Sequence, residues 1–478
     1  MVGEVMSKVG ARVLVAGAGV SGRSAAEALL AEGAAVTITD ASEGRLAALS
    51  ELRQRGAELC TDLAEPPAGT DLVVTSPGWR PDAPLLEAAA AAGIEVIGEI
   101  ELAWRIDRAS SAPAVWLAVT GTNGKTTTVG MLESILRSAG LDAVACGNVG
   151  LPAVDAVRAG HGVLAVELSS FQLHWSNTLS PHAGVVLNLA DDHLDWHGSL
   201  HAYGLAKSAV YRGNLCSVYN ADDEASTMLA EKYATASSVG ITTGEPVGGQ
   251  LGLVGEELRD LAFPRDGADE SASTPLAEVS DVRQVGTHNL SNALAACALA
   301  RSHGVAPAAC SSGLRDFAPG EHRSVVVGEA DEVIYIDDSK ATNPHAASAA
   351  LRAHSGVVWI AGGLLKGADV DELVRTHARR FLAVVLIGTD SGLIADSLRR
   401  NAPDVPVVSV PPEHESAMSE AVRLAAARAE PGSAVVLAPA AASMDMYTDY
   451  AHRGQEFTDS VRALLAESAV DPAERHRG

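Results

Sequence analysis

The chain has 478 residues, 47% of them hydrophobic and 20% charged, enough for about three packed domains. Its 35 basic and 60 acidic residues leave a formal net charge of −25, which argues against nucleic-acid or anionic-membrane binding through bulk charge. Five scattered cysteines without a C-x-x-C pair point away from a zinc or disulfide framework, and the absence of any run of ~18 or more apolar residues or of an apolar leader in Met1–Ala11 points to a cytoplasmic protein.

In chain order, Arg12–Ala16, Ala35–Thr39 and Asp71–Thr75 read as strands, and Ser24–Ala31 and Pro84–Ala92 as helices. This alternation predicts a parallel sheet with right-handed crossovers, an α/β fold. Gly17-Ala18-Gly19-Val20-Ser21-Gly22 follows the first strand as G-x-G-x-x-G, and Asp40 ends the next one. Taken alone this is a dinucleotide fingerprint and suggests an NAD dehydrogenase, but any phosphate-bearing nucleotide can use the same turn. Ser76-Pro77-Gly78 ends the third strand and faces the same crevice. Glu99–Ala112 reads as a short helix running into a linker.

A second α/β unit starts with the strand Ala114–Val119. It leads into Thr120-Gly121-Thr122-Asn123-Gly124-Lys125-Thr126-Thr127-Thr128 and then Val129, Met131, Leu132, Ile135 and Leu136 at helical spacing. Strand, glycine loop, Lys-Thr and helix make a phosphate cradle, because backbone N–H groups and a helix N-terminus converge on phosphate oxygens. Lys125 is suited to the β/γ-phosphates and Thr126 to magnesium. Val119 stands where the general P-loop pattern has its first glycine, so this is a short variant. Two phosphate loops in successive domains, one for a nucleotide-tagged substrate and one for ATP, indicate ATP-driven transfer or ligation rather than redox chemistry.

Further along, Gly162–Val166 and Ala183–Leu189 read as strands. Glu167 ends the first of these, near enough to the P-loop in topology to serve magnesium, and Asp191-Asp192-His193 follows the second. His193, His197 and His201 recur at spacing four, which on one helix face suggests zinc, but the H-E-x-x-H glutamate is missing. His193 is instead a candidate magnesium ligand, while His197 and His201 read as exposed polar positions. By spacing alone Lys207 is a surface helix lysine. Residues 240–280 read as short strands and loops on a domain edge, and Asn289–His303 as a helix.

After Gly320 a third unit offers the strands Val333–Asp337, Val357–Ala361, Ala383–Ile387 and Ala434–Ala438, with a helix at Ala417–Ala429. Three of these strands run into Asp338-Ser339-Lys340-Ala341-Thr342-Asn343-Pro344, Gly362-Gly363-Leu364-Leu365-Lys366-Gly367 and Pro439–Ser443. Polar and glycine loops at strand carboxyl ends are where open α/β sheets gather ligands, so an anionic co-substrate is expected there. The charged tail Glu467–Gly478 is expected to fray.

On these motifs the chain resembles the Mur ligase family over nearly its whole length: G-T-N-G-K-T-T is similar to the family's ATP loop, and the three-part layout matches. Folylpolyglutamate synthases share the ATP loop but lack a domain like residues 1–98. The loops D-S-K-A-T-N-P, the Lys366 loop and P-A-A-A-S resemble the D-glutamate-adding members rather than those adding diaminopimelate or lysine.

The resemblance implies three domains: a Rossmann-like UDP-substrate domain (1–98), a central P-loop ATPase domain (99–319) and a Rossmann-like amino-acid domain (320–478). It implies addition of D-glutamate to UDP-N-acetylmuramoyl-L-alanine with ATP and two magnesium ions, by a monomer with small-molecule partners, no nucleic acid and no membrane insertion. Ser21, Gly22, Asp40, Ser76, Gly78 and Asn148 would then hold the UDP-substrate. Gly121, Thr122, Asn123, Gly124, Lys125, Thr126 and Thr127 would hold ATP, together with Asn292, Arg323 and Asp338. Thr126, Glu167 and His193 would serve the metals, and Lys207 would be carbamylated and stand beside them. Lys125, Glu167, His193 and Lys207 would be the catalytic set. Lys340, Thr342, Lys366, Ser443, Met444 and Tyr450 would surround D-glutamate, with Met444 and Tyr450 replacing the leucine and phenylalanine of some members by side chains that keep an apolar wall.

Overall fold

The computed structural model describes residues 10–234, 237–263, 273–283, 286–318, 320–411 and 416–470. Three α/β domains are each built on one sheet. The first has five parallel strands, β1 (Arg12–Ala16), β2 (Ala35–Asp40), β3 (Glu58–Thr61), β4 (Leu72–Thr75) and β5 (Glu95–Gly98), in the order β3-β2-β1-β4-β5. The chain reverses its direction of winding at β1, so the loops after β1 and β4 lie side by side. β1 and β4 are buried because their side chains alternate between two apolar layers, Val13, Val15, Leu72 and Val74 in one and Leu14, Ala16 and Val73 in the other.

The second sheet has nine strands in the order β14-β13-β12-β11-β10-β9-β6-β8-β7. Its parallel part comprises β6 (Val115–Thr120), β7 (Ala143–Gly147), β8 (Val163–Glu167), β9 (Ala183–Val186), β10 (Cys216–Asn220), β11 (Ser237–Ile241) and β12 (Gln250–Val254). β13 (Glu257–Asp260) and β14 (Thr274–Glu278) add an antiparallel edge, as expected for residues 240–280. β6 is central and wholly apolar up to Thr120, and the helices Lys125–Ser138, Thr287–Ser302 and Pro307–Asp316 share a core with one face of the sheet.

The third sheet has six strands in the order β15-β16-β20-β17-β18-β19. They are β15 (Val325–Ala330), β16 (Val333–Asp337), β17 (Val357–Gly362), β18 (Phe381–Ile387), β19 (Val407–Ser409) and β20 (Ala434–Leu437), with only β15 antiparallel to its neighbour. Apolar layers cover both faces of this sheet, one of them completed by Phe457 and Val461 of the helix Tyr450–Val470. That helix runs on to Val470, so Glu467–Val470, expected to fray, are helical, and the rest of that expected tail, residues 471–478, lies outside the described residues.

By contacts the chain divides into two compact units, Met1–Leu189 with His201–Ala318, and Ala190–Leu200 with Pro319–Gly478. The first two sheets thus belong to one unit, and the segment expected to be a linker explains why. Glu99–Ala109 is a buried helix. Its Arg105 is paired: it binds Glu101 at 2.8 Å and Glu95 at 2.6 Å, and Glu101 accepts from Thr178 N and Oγ1. Asp107 accepts from Trp116 Nε1 at 2.9 Å. Satisfied buried ions tie the two sheets together where composition suggested a short helix running into a linker.

Candidate active site

In the first domain the glycine turn is built by close approach. A Cβ on Gly22 would collide with the Gly17 carbonyl, and one on Gly17, at φ +110°, with Ser76 Oγ. Asp40 accepts from Ala18 N and Ser42 N, both at 2.8 Å. Burial pushes its carboxyl up, but these N–H groups and Arg45 outweigh that and hold it below the usual range. Asp40 therefore braces the turn. Ser76 N donates to Ala16 O, and Ser76 Oγ is buried without a hydrogen-bond partner. A buried hydroxyl left open beside a glycine cradle fits an incoming phosphate or sugar oxygen. Ser21 stands in the first turn of the helix Val20–Ala31 that follows the glycine turn, Gly78 lies on the loop after β4, and apart from its chain neighbours no heavy atom comes within 4 Å of where a Cβ on Gly78 would stand.

The loop after β6 is held from three sides. Gly121 and Gly124 have φ of +153° and +84°, and a Cβ on Gly124 would strike Asn292 Oδ1. Asn188, just beyond β9, accepts from Asn123 N at 2.9 Å and Thr122 N at 3.1 Å and donates to Asn123 O at 3.2 Å. Thr122 Oγ1 meets Tyr203 OH at 3.3 Å. Asn188 and Tyr203 are candidate site residues that motif reasoning missed. The one signal was a polar residue closing the otherwise apolar run Ala183–Leu187.

Two lysines converge on the loop. Lys125 Nζ donates to Gly121 O and Thr122 O at 2.8 and 2.9 Å. Lys207 Nζ donates to the same Gly121 O at 2.9 Å and to Thr120 Oγ1 at 3.5 Å, and it lies 4.4 Å from the Tyr203 ring centroid. Lys207 is only 1% exposed, which overturns its reading as a surface lysine. The helix Leu200–Ser208 turns Tyr203 and Lys207, one turn apart, to the same inner face.

Glu167 ends β8, pairs in register with Val119 of β6 and is buried. Asn148 Nδ2 donates to Glu167 Oε1 at 2.9 Å, and Asn148 N to Glu167 O at 2.9 Å. The candidate substrate residue and the candidate metal residue are therefore directly joined. Among the described residues no group of three or more His, Cys, Asp or Glu side chains forms a metal cage. Magnesium needs none, since it binds through one or two carboxylates with substrate phosphates and water. Glu167 and the half-buried Thr126 hydroxyl are the right donor chemistry for it. Thr127 follows Thr126 in the first turn of the helix Lys125–Ser138.

The histidine triplet does not share a helix face. His193 is a left-handed N-cap at φ +54°, the short helix Leu194–His197 stops at Gly198, and His201 lies in the first turn of another helix, Leu200–Ser208. His193 Nε2 lies 3.6 Å from Asp192.

In the third domain β16, β20 and β17 are adjacent, so their three predicted loops form one rim. Leu364 and Ala442 bridge two of them through paired backbone hydrogen bonds of 2.8 and 2.9 Å. Lys340 Nζ lies 3.6 Å from the centroid of Tyr450, a close cation–π contact. Ser443 is buried, Lys366 is exposed at φ +53°, and Met444 is 61% exposed. Asp338 accepts from Ser324 Oγ at 2.9 Å; burial pushes its carboxyl up to about 7 against the pull of Ser324 and Arg323. Thr342 N donates to Lys340 O at 2.8 Å within the same rim.

Family models match all three sheets: the Mur ligase MurD-like N-terminal domain at residues 11–98, the Mur ligase middle domain at 119–300 and the Mur ligase glutamate ligase domain at 322–441. The chain belongs to the Mur ligase family. Membership makes it an ATP-dependent ligase of peptidoglycan precursor synthesis. It is 53% identical to the UDP-N-acetylmuramoylalanine–D-glutamate ligase of Thermobifida fusca, covering 95% of this chain and 99% of that one. It is 50% identical to the protein of the same name from Streptomyces avermitilis, covering 96% and 99%. Among solved structures, UDP-N-acetylmuramate–alanine ligase of Thermotoga maritima aligns with a TM-score of 0.56 at 20% identity, over 95% of this chain and 99% of that one. That similarity speaks for the Mur ligase fold. No described helix of this Mur ligase is long and apolar enough to cross a membrane.

Proposed function

We propose that the chain joins the L-alanyl carboxylate of UDP-N-acetylmuramoyl-L-alanine to the amine of D-glutamate at the expense of ATP. What carries this reading is identity of 53% to a ligase of that name, spread over all three domains. In this division of labour residues 1–98 hold the UDP-substrate, 99–319 hold ATP and 320–478 hold D-glutamate. The enzyme works in the cytoplasm as a monomer.

A carboxylate is a poor electrophile, so it must first be phosphorylated. The L-alanyl carboxylate attacks the γ-phosphate, giving an acyl phosphate and ADP; the D-glutamate amine then attacks the acyl carbon and phosphate leaves. Two magnesium ions, when bound, supply charge neutralisation on the phosphoryl oxygens. Lys125, released from Gly121 O and Thr122 O, stabilises the γ-phosphate, and the loop N–H groups do the same for the developing charge. Thr126, Glu167 and His193 hold the metals, with Asn148 fixing the Glu167 carboxylate and reaching the muramoyl part of the substrate. Arg323, Asp338 and Asn292 contact ATP. Lys340 and Lys366 pair with the two carboxylates of D-glutamate, while Thr342, Ser443, Met444 and Tyr450 complete its wall.

Lys207 is carbamylated in this reading. Two ammonium groups on one carbonyl oxygen lie within the ~4–6 Å range at which like charges disfavour each other. Carbamylation replaces one cation by an anion opposite Lys125. An omit-one assay of ATP turnover tests the whole reading: phosphate release requires both UDP-N-acetylmuramoyl-L-alanine and D-glutamate, and release that ignores D-glutamate refutes it.

A further inference from the structure

The C-terminal helix carries a buried cation that the reaction does not use. Arg453 is 1% exposed, and its guanidinium reaches all three loops of the third-domain rim. Nε donates to Ser339 Oγ at 3.0 Å and Nη2 to Ser339 O at 2.9 Å, on the loop after β16. Nη1 donates to Ala441 O at 3.1 Å, on the loop after β20, and to Gly362 O at 3.4 Å, at the end of β17. Among the described residues no carboxylate lies within ion-pair distance of it, although Asp337 and Asp445 are close enough to offset part of its burial. Burial pulls its pKa down to about 10.

A buried guanidinium is a costly way to pack a helix, since an apolar side chain of similar volume does that better. Its planar fork, however, can hold several acceptors in fixed directions at once, which an ammonium cannot. The acceptors here are backbone carbonyls of loops whose glycines leave room for it: Gly363, at φ +134°, would bring a Cβ within 3.3 Å of Arg453 Nη1. Ser339 Oγ, which accepts from Arg453, also donates to Tyr450 O at 2.7 Å. One cluster therefore fixes the loop carrying Lys340 and Thr342, the loop carrying Ser443, the start of the Lys366 loop, and Tyr450.

We infer that Arg453 is a positioning residue for the amino-acid substrate: it clasps the three strand-end loops so that their side chains converge on an amino acid with two carboxylates. It does not touch the substrate. The inference rests on the proposed role of the rim as the D-glutamate site. The clasp holds the part of the rim that carries Lys340, Thr342, Ser443 and Tyr450, whereas Asp338, the ATP contact that opens the same loop, has its own brace in Ser324 Oγ, so loss of the clasp weakens the KM for D-glutamate selectively.

Two variants of the full chain test this. Arg453→Lys keeps the charge but cannot bridge three loops; Ser339→Ala keeps the cation and removes one acceptor with little change in volume. Since a displacement of ~1 Å can cost ~10²-fold, KM for D-glutamate is expected to rise about tenfold or more in the first and about threefold or more in the second. KM for ATP and for the UDP-substrate should stay within about twofold of wild type in both. Parallel changes in all three KM values, or an unchanged D-glutamate KM in both variants, overturns the inference. If Arg453→Lys fails to fold, an unchanged D-glutamate KM in Ser339→Ala overturns it alone. Should wild type release phosphate with another amino acid instead of D-glutamate, the proposed substrate fails, and the same selective KM shift must then appear for that amino acid.

Discussion

At the scale of single residues, burial decides what a side chain can do. Lys207 and Lys125 share the Gly121 carbonyl, and that crowding of like charge is the physical ground for expecting a carbamate. Lys207→Ala should lose activity by about a hundredfold or more and regain part of it with added short carboxylic acids, which place an anion where the carbamate stood. Steady-state turnover with and without the acid checks this, and full activity in the variant would remove the carbamate. None of this was visible in the spacing around Lys207, because a lysine in a helix says nothing about which face it takes. Only the family resemblance singled it out, whereas Lys125, Thr126 and Glu167 announced themselves as loop and strand-end residues. A second buried titratable group makes a pH prediction. Glu99 is 2% exposed and accepts from Val154 N at 2.8 Å. Burial raises its pKa from 4.5 to about 7. Folded protein then holds a proton that unfolded protein has lost, so its stabilising share is complete below pH 4.5 and fades as pH rises through about 7. Glu99→Gln should flatten the dependence of melting temperature on pH between those limits, an effect of up to ~3 kcal/mol. A pH-independent difference between variant and wild type would contradict it.

At the scale of elements, the central strands were legible and the outer ones were not. β1, β4, β6, β16, β17 and β20 are short apolar runs buried on both faces, and residue pattern places them within a residue or so. Unforeseen strands such as β3, β5, β7, β15 and β19 all lie at sheet edges, where half-exposed residues break the run. β10 escaped for a different reason: Cys216–Asn220 is interior but carries Ser217 and Asn220, whose side chains donate to Asn214 Oδ1 and Leu187 O in the loops at the strand ends. The helix Glu99–Ala109 was legible as a helix, but its mixed charge hid its burial. The loop after β6 was the clearest element of all, since its glycines are demanded by backbone geometry. Gly124→Ala tests that demand. A Cβ at φ +84° meets both the left-handed penalty and Asn292, so affinity for a non-hydrolysable ATP analogue should fall at least about tenfold by calorimetric titration. Unchanged affinity would mean that the loop does not cradle the nucleotide.

At the scale of the whole molecule, three sheets present loops at their carboxyl edges, and each loop set has its own chemistry. The first has a glycine turn and an open buried hydroxyl, the second a lysine-rich phosphate cradle beside a carboxylate, the third a rim with two lysines. With a net charge of −25 the molecule as a whole repels anionic substrates, so these local cations and helix ends must attract them. Three substrate chemistries on one chain is what an ATP-driven ligation requires, and it was readable from motifs before any fold was known. The identity of the amino acid was not: it depended on resemblance in the third-domain loops, because lysines at strand ends mark an anion without naming it. The most direct test is therefore phosphate release by the intact enzyme with ATP, magnesium and UDP-N-acetylmuramoyl-L-alanine, screened against D-glutamate, L-glutamate, L-lysine and meso-diaminopimelate. Release with D-glutamate and background signal with the other three is the predicted result; release with lysine or diaminopimelate, or none that depends on D-glutamate, would contradict the account.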